Sequence, residues 1–255
     1  MATQHRKQRS RTRYELYYWP SIQGRGEFVR LALEEADADY VDVARLPSKQ
    51  GGVDALMRLL GDPKNPRPSF APPILKVGRQ TISQTANILQ FLGPRLGLVP
   101  ASETDRLWAH QLQLTVADFI GEAHDTHHPI GVSLYYEDQK PAALRRAELF
   151  VKERMPKFLG YFEEVLKRNS RRSRRGGWTV GSRLTYVDLS LFQVVAGLRY
   201  SFPNAMRNSE KKYPRLVGLS DRVASRPNIA AYLDSPRRIP FNEYGLFRYY
   251  EELDV

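Results

Sequence analysis

Apolar and polar positions alternate with a strand's period at the start of the chain and again near residue 74, and follow a helical period over most of the rest. Residues 14–19 (YELYYW) are aromatic and β-rich and end at Pro20, which predicts a first strand. A glycine-containing turn, SIQGRG, leads into a helix predicted over residues 27–36, with Phe28 and Leu31 facing inward. Residues 40–43 (YVDV) alternate as a second strand. A βαβ opening of this length implies a parallel pair joined by a right-handed crossover. Residues 45–71 form a long connection with a short helix over 53–60, and its end, GDPKNPRPSFAPP, is too proline-rich for a regular element. Residues 74–77 and 80–82 read as a hairpin turning at Gly78. A helix follows over 85–92, stopped by Gly93-Pro94.

Beyond Pro100 the pattern changes. Residues 103–126, 141–168, 185–199 and 214–233 are helical in period, with no strand between them. Pro141 fits the first turn of its helix, and Pro156 is expected to kink the same helix without ending it. Thr185-Tyr186-Val187-Asp188 precedes an apolar run as a capping box with Asp in place of Glu, so Asp188 reads as a helix-start residue. The predicted organisation is a basic tail at 1–13, an αβ domain at 14–93 and a linker at 94–102. An all-helical domain at 103–255 follows, with a basic loop at 167–177 and a tail at 236–255.

Charge sharpens this outline. The chain has 255 residues and a net charge of +11. Arg6, Lys7, Arg9, Arg11 and Arg13 form one acid-free run; Lys167, Arg168, Arg171, Arg172, Arg174 and Arg175 form a second. These basic residues equal the whole net excess of +11, so the remaining body is neutral and carries no footprint for nucleic acid. Blocks of like charge stay solvated, and both read as flexible appendages that resemble nuclear import signals, with Ser170 and Ser173 as phosphorylation candidates. The absence of cysteine excludes disulfides, thiolate zinc, iron–sulfur clusters and a catalytic Cys. No apolar run reaches the roughly 18 residues of a membrane span, and the N-terminus lacks a secretory core. A soluble, intracellular protein is expected.

His124, His127 and His128 stand at i, i+3 and i, i+4 near a predicted helix end, with Asp125 beside them. The spacing suits a metal but supplies no full ligand set, so no metal site is assigned. The alternatives are a wall of a second-substrate cavity and a helix terminus. Tyr135 and Tyr136 line such a cavity or belong to the core.

An αβ domain of βαβ-ββα order followed by a helical domain resembles the cytosolic glutathione S-transferases, whose fold is a thioredoxin-like domain plus an all-α domain. The resemblance covers residues 14–235. Tyr14-Glu-Leu-Tyr-Tyr-Trp, then Gly24-Arg25-Gly26-Glu27 and Arg30, are similar to the first strand and helix of the tyrosine-type alpha, mu, pi and sigma classes. Pro73 matches the family's cis-proline, Gln84-Thr85 its Gln-Ser pair, and residues 181–188 its buried capping motif.

The resemblance implies that glutathione is the cosubstrate and that Tyr18 donates a hydrogen bond to its sulfur, stabilising a thiolate that attacks a hydrophobic electrophile. On strand pattern alone, Tyr18 reads more readily as an aromatic packed at a strand end than as a functional residue, and Tyr17 points to the opposite face. Arg25 matches an arginine near the sulfur in some classes, or is a solvated first-turn residue; Gln23 replaces another family arginine. Gln84 and Thr85 would hold the γ-glutamyl carboxylate at a helix N-terminus. Asp118 would reach the glutathione ammonium of the other subunit in a homodimer. Pro72 departs from the family pattern: it has no N–H to offer the cysteinyl part, a loss on the order of 1 kcal/mol. Lys49, Lys64, Asn65 and Arg67 all remain candidates for the glycyl carboxylate. Phe241, Tyr244, Phe247 and Tyr249 in the tail are expected over the cavity or on the domain surface. A cytoplasmic enzyme with isomerase or peroxidase side activity is implied; the competing expectation is a non-catalytic relative used for interaction.

Overall fold

The computed structural model describes residues 12–172 and 177–254. Most of the first basic run and, in the second, Ser173, Arg174 and Arg175 lie outside the described residues. The chain opens with β1 (Tyr14–Tyr17), α1 (Gly26–Glu35), β2 (Tyr40–Asp42), α2 (Gly52–Leu60), β3 (Ile74–Val77), β4 (Gln80–Ser83) and α3 (Thr85–Leu96). Four strands form one sheet in the order β2-β1-β3-β4, with β1 parallel to β2 and antiparallel to β3. Strand alternation sorts the core. Tyr14, Leu16 and Leu75 pack with Val29 and Leu33 of α1 on one face, and Tyr17 and Ile74 pack with Leu56 of α2 on the other.

The first helix is apolar on more than one side, which places it between two layers. Val29 and Leu33 meet the sheet, while Phe28, Leu31 and Ala32 join the large helical core. That core is built by α4 (Glu103–His124), α5 (Tyr136–Leu149), α6 (Met155–Arg172), α7 (Tyr186–Ser201), α8 (Pro203–Ser209), α9 (Pro214–Ala224) and α10 (Pro227–Leu233). α7 runs through its centre, almost wholly buried. Asp188 closes the predicted capping box. Its carboxylate accepts the N–H and hydroxyl of Thr179 (2.8 and 2.9 Å) and of Thr185 (2.7 and 2.8 Å).

Several boundaries differ from the sequence pattern for identifiable reasons. α3 runs through Gly93-Pro94 to a left-handed cap at Gly97; the carbonyl that Pro94 cannot pair belongs to exposed Gln90. α5 begins at Tyr136, so Pro141 sits inside it and not in its first turn. A π-helical turn, Phe150–Arg154, precedes Pro156 and lets the helix continue into α6. The segment expected as one helix over 214–233 is two, restarted by Pro227. α8 follows α7 at once, with Pro203 in its first turn. α4 ends at His124, leaving His127 and His128 in the turn beyond it.

Candidate active site

Strand register brings three of the sequence candidates to one edge of the sheet. Tyr17 pairs with Ile74, and Ile74 pairs with Ser83, so their chain neighbours Tyr18, Pro73 and Gln84 line up across β1, β3 and β4. The peptide bond between Pro72 and Pro73 is cis.

Tyr18 is buried beneath the start of α1, and two glycines make room for it. A Cβ on Gly24 would stand 2.1 Å from the Tyr18 hydroxyl, and one on Gly26 would stand 2.5 Å from its ring. The phenolic oxygen accepts the Arg25 N–H at 2.8 Å. Burial pushes the Tyr18 pKa up, against the pull of that N–H, of the Arg25 and Arg30 charges and of the Gly26 N–H. Tyr18 is therefore a protonated phenol at neutral pH whose oxygen is already engaged as an acceptor. Among the described residues nothing accepts its hydrogen, which leaves it free to donate.

A buried ionic network fixes this turn. The fully buried Arg30 donates to Asp42 (2.7 Å), to Glu27 (3.2 Å) and to the carbonyls of Ile22 and Gln23, with its guanidinium 5.7 Å from the Tyr18 ring centre. Glu27 also accepts Tyr232 Oη–H at 2.6 Å and Arg238 at 2.5 Å. Carboxylates around a buried guanidinium supply the charge it loses from water.

Gln84 is exposed at φ 70°, ψ 121°, a left-handed backbone that costs a non-glycine residue on the order of 1–3 kcal/mol. Thr85, buried at the first position of α3, donates to the Arg25 carbonyl at 3.4 Å. The N-termini of α1 and α3 thus stand side by side; the first N–H groups of α1 are taken by Tyr18 Oη and Gln23 O, so the first-turn N–H groups of α3 are the ones that favour an anion there. Arg25 is exposed at the same edge. Asp118 is exposed on α4.

The tail crosses this turn. Ile239 O accepts Gln23 Nε2 (2.5 Å), Gln23 Oε1 accepts Gln193 Nε2 (2.7 Å), Gln193 Oε1 accepts Arg238 (2.9 Å), and Asn242 donates to Ser21 O (2.9 Å). Gln193 is the residue that sequence reasoning passed over; a glutamine inside the apolar run of α7 was its signal. Phe247 fills the notch at Gly197, where a Cβ would stand 2.3 Å from the ring. Between the tail and Gly24 a cavity of only about 10 Å³ remains. Phe241 stacks on Tyr200 (4.9 Å), but Tyr244 is 79% exposed and covers nothing, and Tyr250 stacks on buried Tyr136 (3.9 Å).

The imidazoles hold the tail. His127 Nε2 donates to Leu246 O at 3.0 Å, because a carbonyl can only accept. His127 Nδ1 is then the acceptor for His128 Nδ1–H at 2.6 Å. Burial lowers all three imidazole pKa values, to about 4 for His128 and about 2 for His127. Among the described residues no group of three His, Cys, Asp or Glu is placed to hold a metal.

Comparison with known proteins matches residues 124–236 to the family described as "Glutathione S-transferase, C-terminal domain". A Plasmodium falciparum glutathione S-transferase is 26% identical over 222 residues, 86% of this chain and 93% of the relative. Glutathione S-transferase P of Capra hircus is 27% identical over 238 residues, 91% of this chain and 98% of the relative. Among solved structures, the Pi-class glutathione S-transferase of Onchocerca volvulus superposes with a TM-score of 0.68 at 22% identity, covering 91% of this chain and 98% of its own.

Proposed function

We propose that the chain is a tyrosine-type glutathione S-transferase that binds glutathione at the edge formed by Tyr18, Pro73 and Gln84, a reading supported by the family match over residues 124–236 and by the similar glutathione S-transferases. The observation that carries this reading is the Tyr18 hydroxyl, held by the Arg25 N–H and left with one hydrogen to donate. A free thiol of pKa about 8.5 is only a few per cent thiolate at pH 7. One charge-assisted bond from Tyr18 to the sulfur is worth about 1.5–3 kcal/mol, enough to lower that pKa by roughly one to two units. The thiolate then attacks the electrophilic carbon of the second substrate, and the Tyr18 proton stays on its oxygen throughout.

The γ-glutamyl carboxylate takes the place at the N-terminus of α3, at Gln84 and Thr85, with Arg25 adding positive charge. The cysteinyl part meets Pro72 through its carbonyl alone. Asp118, exposed on α4, supplies the ammonium partner to a second copy in a cytoplasmic homodimer. The missing Pro72 N–H favours a second reading, a non-catalytic relative that has given up tight glutathione binding. The two separate on one experiment: the transferase reading expects retention on immobilised glutathione and conjugation of a chlorodinitrobenzene, with turnover reduced about 10- to 100-fold in Tyr18→Phe. A wild-type protein with neither property supports the second reading.

A further inference from the structure

We propose that Gln193 of α7 and Arg238 of the tail are positioning residues of the transfer reaction: they hold the turn whose Arg25 N–H aims the Tyr18 hydroxyl. The proposal rests on the transferase reading and extends it to two residues from the helical half of the chain.

Their contacts close a ring. Gln193 Nε2 donates to Gln23 Oε1 (2.7 Å), and Arg238 donates to Gln193 Oε1 (2.9 Å) and to Glu27 (2.5 Å). Arg30 donates to Glu27 (3.2 Å) and back to the Gln23 carbonyl (3.3 Å). The sense of each amide is fixed, because the Ile239 carbonyl can only accept from Gln23 and Arg238 can only donate to Gln193. Gln23, Glu27, Arg30 and Gln193 are all buried, so these bonds are strong and little exchanged with water. The ring spans residues 23–27. Between its ends lie Gly24, at φ 45°, and the Arg25 N–H that reaches Tyr18 Oη at 2.8 Å. The tail is itself tied on both sides: Asn242 donates to Ser21 O (2.9 Å), and Arg45 donates to Pro236 O (3.1 Å).

Packing alone does not call for these side chains. Gln193 stands in an almost wholly buried helix, where an amide costs free energy unless it is bonded and where methionine would fill a similar volume. Arg238 balances charge. Without it, Glu27 and Asp42 would face Arg30 alone, and the buried network beside Tyr18 would be net negative, the wrong sign for a nearby thiolate.

The test compares Gln193→Met, Arg238→Met and Arg238→Lys with the wild type. The thiolate absorbance of bound glutathione is titrated against pH, conjugation of a chlorodinitrobenzene is followed at steady state, and melting temperature reports folding. Ser190→Ala, which removes the bond to Gln113 from the same helix and involves no residue of the ring, is the control for lost stability. In both methionine variants the thiol pKa is expected to rise by about half a unit to one unit. Their kcat falls about tenfold, while KM for glutathione stays within about twofold. Arg238→Met shows the larger rise, and Arg238→Lys, which keeps a positive charge beside Glu27, lies closer to the wild type. Ser190→Ala lowers the melting temperature and leaves thiol pKa and kcat unchanged. Where one methionine variant fails to fold, the remaining variants carry the same comparison. Wild-type thiol pKa and kcat in the folded ring variants, or the same rise in Ser190→Ala, would overturn the proposal and leave the transferase reading standing. A wild type that holds no glutathione thiolate would overturn both.

Discussion

At the scale of single residues, the candidate site depends on what surrounds Tyr18 as much as on Tyr18. Its oxygen is aimed by the Arg25 N–H, and its ring lies in a slot that exists only because residues 24 and 26 have no side chain. A methyl group on Gly26 would overlap the Tyr18 ring. Gly26→Ala is expected to cost about 1–3 kcal/mol of stability and to lower turnover, because the hydroxyl moves from its donor. Denaturant unfolding and conjugation rate measure the two effects. The motif Gly24-Arg25-Gly26 was legible in the sequence, but its reason was not, since the clash it avoids is with a residue turned back from β1. Pro72 carries the opposite lesson: its missing N–H follows from its identity alone. Pro72→Ala, which restores the donor, is expected to lower KM for glutathione about fivefold to tenfold in steady-state assays.

Among elements, local chemistry predicted starts better than stops. The capping box at α7 was readable because Thr185 and Asp188 lie three residues apart, and the structure adds Thr179 from the preceding loop. Burial pushes the Asp188 carboxyl up to about 6 even with four hydrogen bonds donated to it. Asp188→Ala leaves two backbone N–H groups and two hydroxyls without their acceptor, and more than about 3 kcal/mol of unfolding free energy should be lost. Urea unfolding checks this; a loss under 1 kcal/mol would mean that water enters to replace the carboxylate. Prolines were harder to read. Pro94 and Pro141 both sit inside helices and Pro227 restarts one, because neighbours along the chain do not say which carbonyls reach solvent. α8 has seven residues and shows no periodicity long enough to detect.

For the molecule as a whole, the parallel β1–β2 pair, the β3–β4 hairpin and the helical second half were implied by the order of elements, whereas the pairing of β1 with β3 and the path of the tail were not. Contacts such as Gln23 with Ile239 and His127 with Leu246 join residues more than a hundred positions apart, and only Gln193, polar in an apolar helix, hinted at them. The His127 contact predicts a pH dependence. In the unfolded chain His127 and His128 take up protons near pH 6.5, but burial keeps them neutral in the fold. The unfolded state then binds more protons, so stability falls as pH drops from about 6.5 toward 4. A His127→Gln/His128→Gln variant should lose less stability over that range in thermal melts. The comparison between the two proteins cancels Asp188, whose raised pKa acts in the opposite sense. The central claim, that Tyr18 stabilises a glutathione thiolate, is tested most directly by titrating the thiolate ultraviolet absorbance of bound glutathione against pH. The wild type should show a thiol pKa below the free value of about 8.5, and Tyr18→Phe should raise it by roughly one to two units. The same thiol pKa in both proteins would contradict the account.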